Sequence, residues 1–299
     1  MRIAWSLVAA LLMFPSAVFA QRESMLTTPA WLAQHLADPD LVVLHVGPKA
    51  DYDAAHIPGA RHVALNDMAA PRVDGGLTLE MMPAEDFRQK LASLGVSDNS
   101  RIVVAFTGAG ITQATRIIFA LDTFGLGDRA TLLDGGMTAW TKGGHPVTTE
   151  VPAPRAGSLS PLKTRPLVIT ADDVVARMKQ PNVTVVDGRT DAFYSGAQTG
   201  GGQAAPHKTG HIDGAVSVPY VSLVDENQQL KPKADLEAAF AKAGVKPGDT
   251  VIGYCHIGQQ ATAMLFAARS LGYPVLLYDG SFEDWSRRNL PVTTVKKDK

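Results

Sequence analysis

This chain has a single cysteine, Cys255, among its 299 residues. No disulfide can close within it, so a disulfide framework is excluded as the source of its stability. An excess of either charge is also missing. The 28 Lys and Arg stand against 29 Asp and Glu, a formal net charge of -1. That balance leaves no global positive field and no basic run to hold nucleic acid. Neither His56 nor His211 has partners at ligand spacing, so no metal is expected. Beyond the N-terminus no apolar run reaches the ~20 residues that a membrane span requires.

Hydrophobic residues make up 45% and charged residues 19%, the balance of a folded protein. The length suits about two domains of ~100–150 residues each. The first residues read as a processing signal. Met1 and Arg2 form a basic start, 3–14 is an apolar run, and Val18 and Ala20 are small residues at signal-peptidase spacing. Residues 1–20 are therefore expected to be a signal peptide, with export and a periplasmic location. A membrane anchor is the alternative, and the run is too short for it.

The two halves repeat one another. V-V-L-H-V-G at 42–47 is followed by H-I-P-G-A at 56–60, R-I-V-V-A-F-T-G-A-G at 101–110 and D-G-G-M-T-A-W at 134–140. V-T-V-V-D-G-R at 183–189 is followed by H-I-D-G-A at 211–215, T-V-I-G-Y-C-H-I-G at 250–258 and D-G-S-F-E-D-W at 279–285. Four blocks in one order indicate duplication of a whole domain. Residues 148–166 hold Pro152, Pro154, Pro161 and Pro166 without a hydrophobic period and read as an extended linker. The domains are then 21–147 and 167–299.

Each half alternates short apolar strands with helices. Strands are expected at 41–46, 102–106 and 131–133, and at 183–186, 251–254 and 275–278. Helices are expected from Thr28-Pro29, at 83–95 and 112–124, from Ala171, and at 234–243 and 260–271. This pattern predicts an α/β fold, each half a mostly parallel sheet flanked by helices. Ligands of such sheets gather at the carboxyl ends of strands, where Cys255 stands.

Between the strand ending at Tyr254 and the next helix, Cys255-His256-Ile257-Gly258-Gln259 must turn the chain. A tight strand-to-helix loop aims backbone N–H groups inward, and the helix adds its positive end. Gly258 supplies conformational freedom. The sulfur is expected in a positive field that favours thiolate over thiol. The plain alternative is a small buried hydrophobe.

Residues 52–60, Y-D-A-A-H-I-P-G-A, resemble the first signature of the rhodanese family. Residues 278–285, Y-D-G-S-F-E-D-W, resemble the closing one, with Asp284 where Glu is usual, and the strand–Cys255–loop–helix resembles the active-site loop. The likeness spans almost the whole mature chain and matches the two-domain thiosulfate and 3-mercaptopyruvate sulfurtransferases. It implies two tandem rhodanese-like domains, the first inactive and the second catalytic, with the site at their interface. It implies that Cys255 carries sulfur as a persulfide from a small anionic donor, thiosulfate first, to cyanide or a thiol, with no cofactor. Thr107 stands for Cys255 in the first half and cannot carry sulfur.

The same resemblance has Arg189 meet the donor's anion, as a guanidinium fork suits it; a solvated surface arginine is the alternative. Asp187 orders the loop or pairs with Arg189. His256 is expected to lend partial positive charge. Ile257 and Gly258 complete the wall, and Gln259 and Gln260 are expected to donate hydrogen bonds to an oxyanion. His207 and Lys208 read as solvated loop residues. The related Cys-x5-Arg phosphatases are excluded because Ala261 stands where their arginine would be. Two further readings are a 3-mercaptopyruvate sulfurtransferase and a non-turnover persulfide carrier or sensor for a protein partner.

Overall fold

The computed structural model describes residues 22–153, 155–202 and 206–295. The expected signal peptide lies outside the described residues.

The first half contains β1 (Leu26–Thr27), α1 (Pro29–His35), β2 (Leu41–Val46), α2 (Lys49–Ala54) and β3 (Arg61–Val63). It continues with α3 (Ala84–Ser93), β4 (Arg101–Phe106), α4 (Ile111–Thr123), β5 (Ala130–Leu133) and α5 (Gly136–Lys142). The second half runs through β6 (Val168–Ile169), α6 (Ala171–Arg177), β7 (Val183–Asp187), α7 (Asp191–Ser195), β8 (His211–Ile212) and β9 (Val216–Ser217). Then come α8 (Lys233–Lys242), β10 (Thr250–Tyr254), α9 (Gln259–Ser270), β11 (Val275–Tyr278), α10 (Ser281–Arg287) and β12 (Val292–Thr293).

The sheets have the same order, β1-β5-β4-β2-β3 and β6-β11-β10-β7-β9, and every pair in them is parallel. β8 and β12 form a small antiparallel pair that the sequence pattern did not predict. Two-residue strands carry no period long enough to read. Local signals hold where they are chemically explicit. The Thr28 hydroxyl accepts the Trp31 N–H ahead of Pro29, and Thr170 and Asp173 form a reciprocal capping box.

Strand register and helix starts differ by one residue in how they match the halves. β2 pairs Leu41 with Arg101, β7 pairs Val183 with Thr250, and Leu132 and Leu277 face Val104 and Gly253. These pairs match Ala105 with Tyr254 and, carried one residue on, Phe106 with Cys255, whereas the helix starts at Ile111 and Gln259 match Thr107 with Cys255. His45 does match Asp187. The first half still has no thiol there.

The halves share a core. One buried cluster joins Phe106, Ile117 and Phe119 of the first to Met264, Leu265 and Phe266 of the second. α4 and α9 form this seam. All of α4 except Gln113 is buried, and Thr115 Oγ1 lies 3.1 Å from Thr262 Oγ1. The segment from 148 to 166 is fastened to the first half rather than free: Leu159 is buried, and a Cβ at Gly157 would come within 2.1 Å of the Val96 carbonyl.

Candidate active site

Cys255 follows β10 directly, with Asp187 of β7 beside Tyr254 in the ladder. Gly258, at φ 77, makes the left-handed turn that starts α9. The curl brings the N–H groups of Ile257, Gln260 and Ala261 beside the Cys255 sulfur, where they favour its charged form. Ala261 lies one residue beyond the expected set.

A second turn supports the loop from behind. The Cys255 N–H donates to Ser281 Oγ at 3.1 Å. The Phe282 and Glu283 N–H groups donate to the Cys255 and His256 carbonyls, each at 3.0 Å. Ser281 is held at φ 52, a left-handed conformation costly for a residue with a side chain. The motif D-G-S-F-E was visible in the sequence, but its service to Cys255 was not, because the two lie 26 residues apart.

The structure corrects the electrostatics expected of the loop. Cys255 is fully buried, and burial pushes its thiol up while the three loop N–H groups pull the other way. Enclosure outweighs these amides in this closed arrangement. Burial, then the Arg189 charge, then His207 push His256 down to about 3, so its ring is neutral at pH 7 rather than partly charged. Its Nδ1 is buried without a partner among the described residues.

Arg189 is 1% exposed and does not stand free. Its Nε lies 3.0 Å from both Asp187 oxygens, and its Nη2 donates to Asp187 Oδ2 at 2.6 Å and to the Gly210 carbonyl at 2.8 Å. The guanidinium also lies 4.0 Å from the Phe282 ring centroid. Burial works against its charge, but Asp187 outweighs this and holds it above the ordinary arginine range. The expected anion-binding fork is thus closed upon Asp187.

Gln259 is likewise engaged: its Nε2 donates to Thr112 Oγ1 of the first half at 2.9 Å. Gln260 has a buried Oε1 without a partner among the described residues. His207, read as solvated, is 9% exposed and faces His256 with ring centroids 5.7 Å apart. Lys208 donates to the Leu290 carbonyl at 2.7 Å. His56 and His211 hold turns, their Nδ1 atoms each 2.7 Å from the carbonyls of Tyr52 and Tyr194.

Beside the loop opens a cavity of about 330 Å³ whose lining includes His207, His256, Ile257, Arg287, Arg72 and Thr78. The last two come from residues 70–82 of the first half, which lie across the second. The Thr78 N–H donates to Glu283 Oε2 at 2.9 Å and the Met81 N–H to Asp279 Oδ2 at 2.8 Å. Arg287 donates to the carbonyls of Gly75 and Gly76. The larger clefts, at the β1 edge and beside Arg165 and Arg269, lie away from the cysteine.

A model of the rhodanese-like domain matches residues 28–143 and again 170–288. The chain belongs to the rhodanese-like domain family. As a tandem rhodanese it is 30% identical to a putative thiosulfate sulfurtransferase of Synechococcus elongatus, over 94% of this chain and 88% of that one. It is 30% identical to the thiosulfate sulfurtransferase of Rattus norvegicus, over 92% and 96%. It is 29% identical to the sulfur carrier protein TtuD of Thermus thermophilus, over 89% and 95%. This rhodanese is a sulfurtransferase-family protein on that footing. Among solved structures, EanB in complex with ergothioneine superposes at a TM-score of 0.82 and 20% identity, over 93% of this chain and 72% of that one. YnjE superposes at 0.79 and 22%, over 93% and 70%. These two likenesses are of fold.

Proposed function

We propose that Cys255 carries sulfane sulfur from thiosulfate to a thiophilic acceptor, cyanide or a thiol, through a persulfide. The observation that supports this most is the loop: one sulfur at a strand end, followed by the left-handed Gly258 and the start of α9, with the Ile257, Gln260 and Ala261 N–H groups favouring charge on it. The Cys255 thiolate attacks the outer sulfur of the donor, the donor S–S bond breaks, and sulfite leaves with its electron pair. The loop amides then face the persulfide. An acceptor nucleophile attacks the outer sulfur, and Cys255 Sγ departs as a thiolate onto the same amides. These are two half-reactions of covalent catalysis, and ping-pong kinetics follow. The 330 Å³ cavity, lined by Arg72 and by Arg287 with its ion-pair partner Glu283, supplies an entrance in which Arg72 can face an anion. The Asp187–Arg189 pair supports the end of β7 beside the cysteine.

Thiosulfate as donor rests on the names of relatives and on Arg72 in this lining; 3-mercaptopyruvate is the competing donor. A carrier role is a second reading, favoured by the likeness to TtuD. Residues 1–20 are proposed to direct export to the periplasm, which N-terminal sequencing of the secreted protein checks.

The test is steady-state thiocyanate formation from thiosulfate and from 3-mercaptopyruvate, with mass spectrometry of the protein after donor exposure. One added sulfur on the Cys255 peptide and turnover lost in Cys255→Ser are expected. Retained turnover in that variant removes the reading. Sulfur loading without thiocyanate turnover leaves the carrier.

A further inference from the structure

The half without a thiol reaches into the sulfur loop through one side chain. Arg116 sits on α4, in the first half, and its side chain is 5% exposed. Its Nη1 lies 2.6 Å from Asp279 Oδ1 and 3.5 Å from the Gly258 carbonyl, and its Nη2 donates to the Leu79 carbonyl at 2.6 Å. Asp279 is itself 12% exposed, and its other oxygen accepts the Met81 N–H. One guanidinium therefore ties together three segments: the loop over the cavity, the turn behind Cys255 and the glycine at the head of α9.

Each tie bears on the loop amides. Gly258 stands between the Ile257 amide and the Gln260 and Ala261 amides, all of which favour charge on the sulfur. A Cβ at Gly258 would meet the Asp279 carbonyl at 2.8 Å and Arg116 Nη1 at 3.0 Å, so the contact is close on both sides. Asp279 opens the turn whose Ser281, Phe282 and Glu283 bind the backbone of Cys255 and His256. A buried carboxylate whose cation is removed is strongly destabilised, and its segment moves toward water. The seam matches Thr112 with Gln259, Thr115 with Thr262 and Asp122 with Arg269, a constant offset of 147 that sets Ala263 of α9 against Arg116. The matching turn of the first half has Asp134 accepting the Leu230 N–H; the arginine near it is Arg22 of the same half, which donates to the Leu230 carbonyl at 3.0 Å, and none comes from α9. Only at the half that holds the thiol does the arginine reach the turn from the other side of the seam.

We infer that Arg116 is a positioning residue, by which the first half holds the loop of the second so that its amides face Cys255 Sγ. This rests on Cys255 being the sulfur-bearing thiol, but its test does not need sulfur transfer.

The test is the pH–rate profile of Cys255 alkylation by iodoacetamide in the full-length protein, which has no other thiol. Other charged and titratable groups close to the sulfur are Asp187, Arg189, Tyr254 and His256, and they are common to all variants. In Arg116→Met the profile is expected to move to higher pH, with alkylation at pH 8 slower by roughly 3- to 10-fold. Arg116→Lys should recover part of this. Arg269→Met is the control, since it breaks the 2.5 Å pair with Asp122 elsewhere on the same seam. It should lower the unfolding midpoint and leave the profile in place. An unmoved profile in folded Arg116→Met, or an equal shift in Arg269→Met, overturns the inference. Should Arg116→Met fail to fold, Arg116→Lys and Asp279→Asn are measured in its place, and an unmoved profile in both overturns the inference equally. Loss of turnover without a shifted profile would count against Arg116 while leaving Cys255 as carrier. A shifted profile in a protein whose Cys255→Ser variant still turns over would do the reverse.

Discussion

Asp187 and Arg189, two residues apart at the end of β7, close upon one another: Nη2 lies 2.6 Å from Oδ2, Nε 3.0 Å from both oxygens, and both side chains are buried. Truncating Arg189 leaves an unpaired carboxylate in the interior. Arg189→Ala should therefore cost about 3–5 kcal/mol of stability in urea unfolding. Any rise in donor KM comes in addition. A loss under ~1 kcal/mol with a large KM increase would instead show that the guanidinium serves the donor.

Ser281 is the only side chain described as accepting the Cys255 N–H, and it also donates to the Tyr278 carbonyl at 2.9 Å. Ser281→Ala should leave that buried N–H without an acceptor and cost ~1–3 kcal/mol. Sulfur loading should slow with it, because the Cys255 backbone loses one of its holds. Chemical denaturation combined with single-turnover loading measures both; wild-type values in both would reject the role.

In the first half, His45 Nε2 lies 2.6 Å from Thr107 Oγ1, at the place where the second half has its loop. Thr107→Val should leave thiocyanate turnover within about twofold of wild type while destabilising by ~1–3 kcal/mol, since a buried imidazole nitrogen loses its partner. A large fall in turnover would give this loop a part in the reaction.

The same histidine makes stability depend on pH. Burial, with His56 and His62 adding to it, pushes His45 from 6.5 down to about 4. The unfolded chain then binds the proton more readily than the folded one between those values, so stability is full above about pH 6.5 and falls as pH drops toward 4. The loss from this group amounts to about 3 kcal/mol. His256, at about 3, acts in the same direction over a wider window. Unfolding midpoints at pH 7.5 and 4.5 should differ less in His45→Gln than in wild type; equal differences would refute the assignment.

The amino-acid order by itself determined the duplication, the alternation of strand and helix, and the placing of Cys255 after β10. Each of these follows from local causes: apolar runs of strand length, a proline or threonine at a helix start, and a glycine where the backbone must turn left-handed. The curl around the sulfur belongs with them, since a strand, four residues and a helix leave the amides few other directions.

Tertiary structure alone decided what the side chains around that sulfur do. It chose, of the two readings open for Asp187, the pair with Arg189; Gln259 crossed to Thr112, His207 came in from an insertion, and Ser281 closed the back of the loop. Each of these depends on partners brought close by packing, and a polar group taken from water binds whichever counterpart packing supplies. The shared core along α4 and α9, and with it the reach of Arg116 into the second half, arises from the docking of two separately folded sheets, which no local pattern encodes.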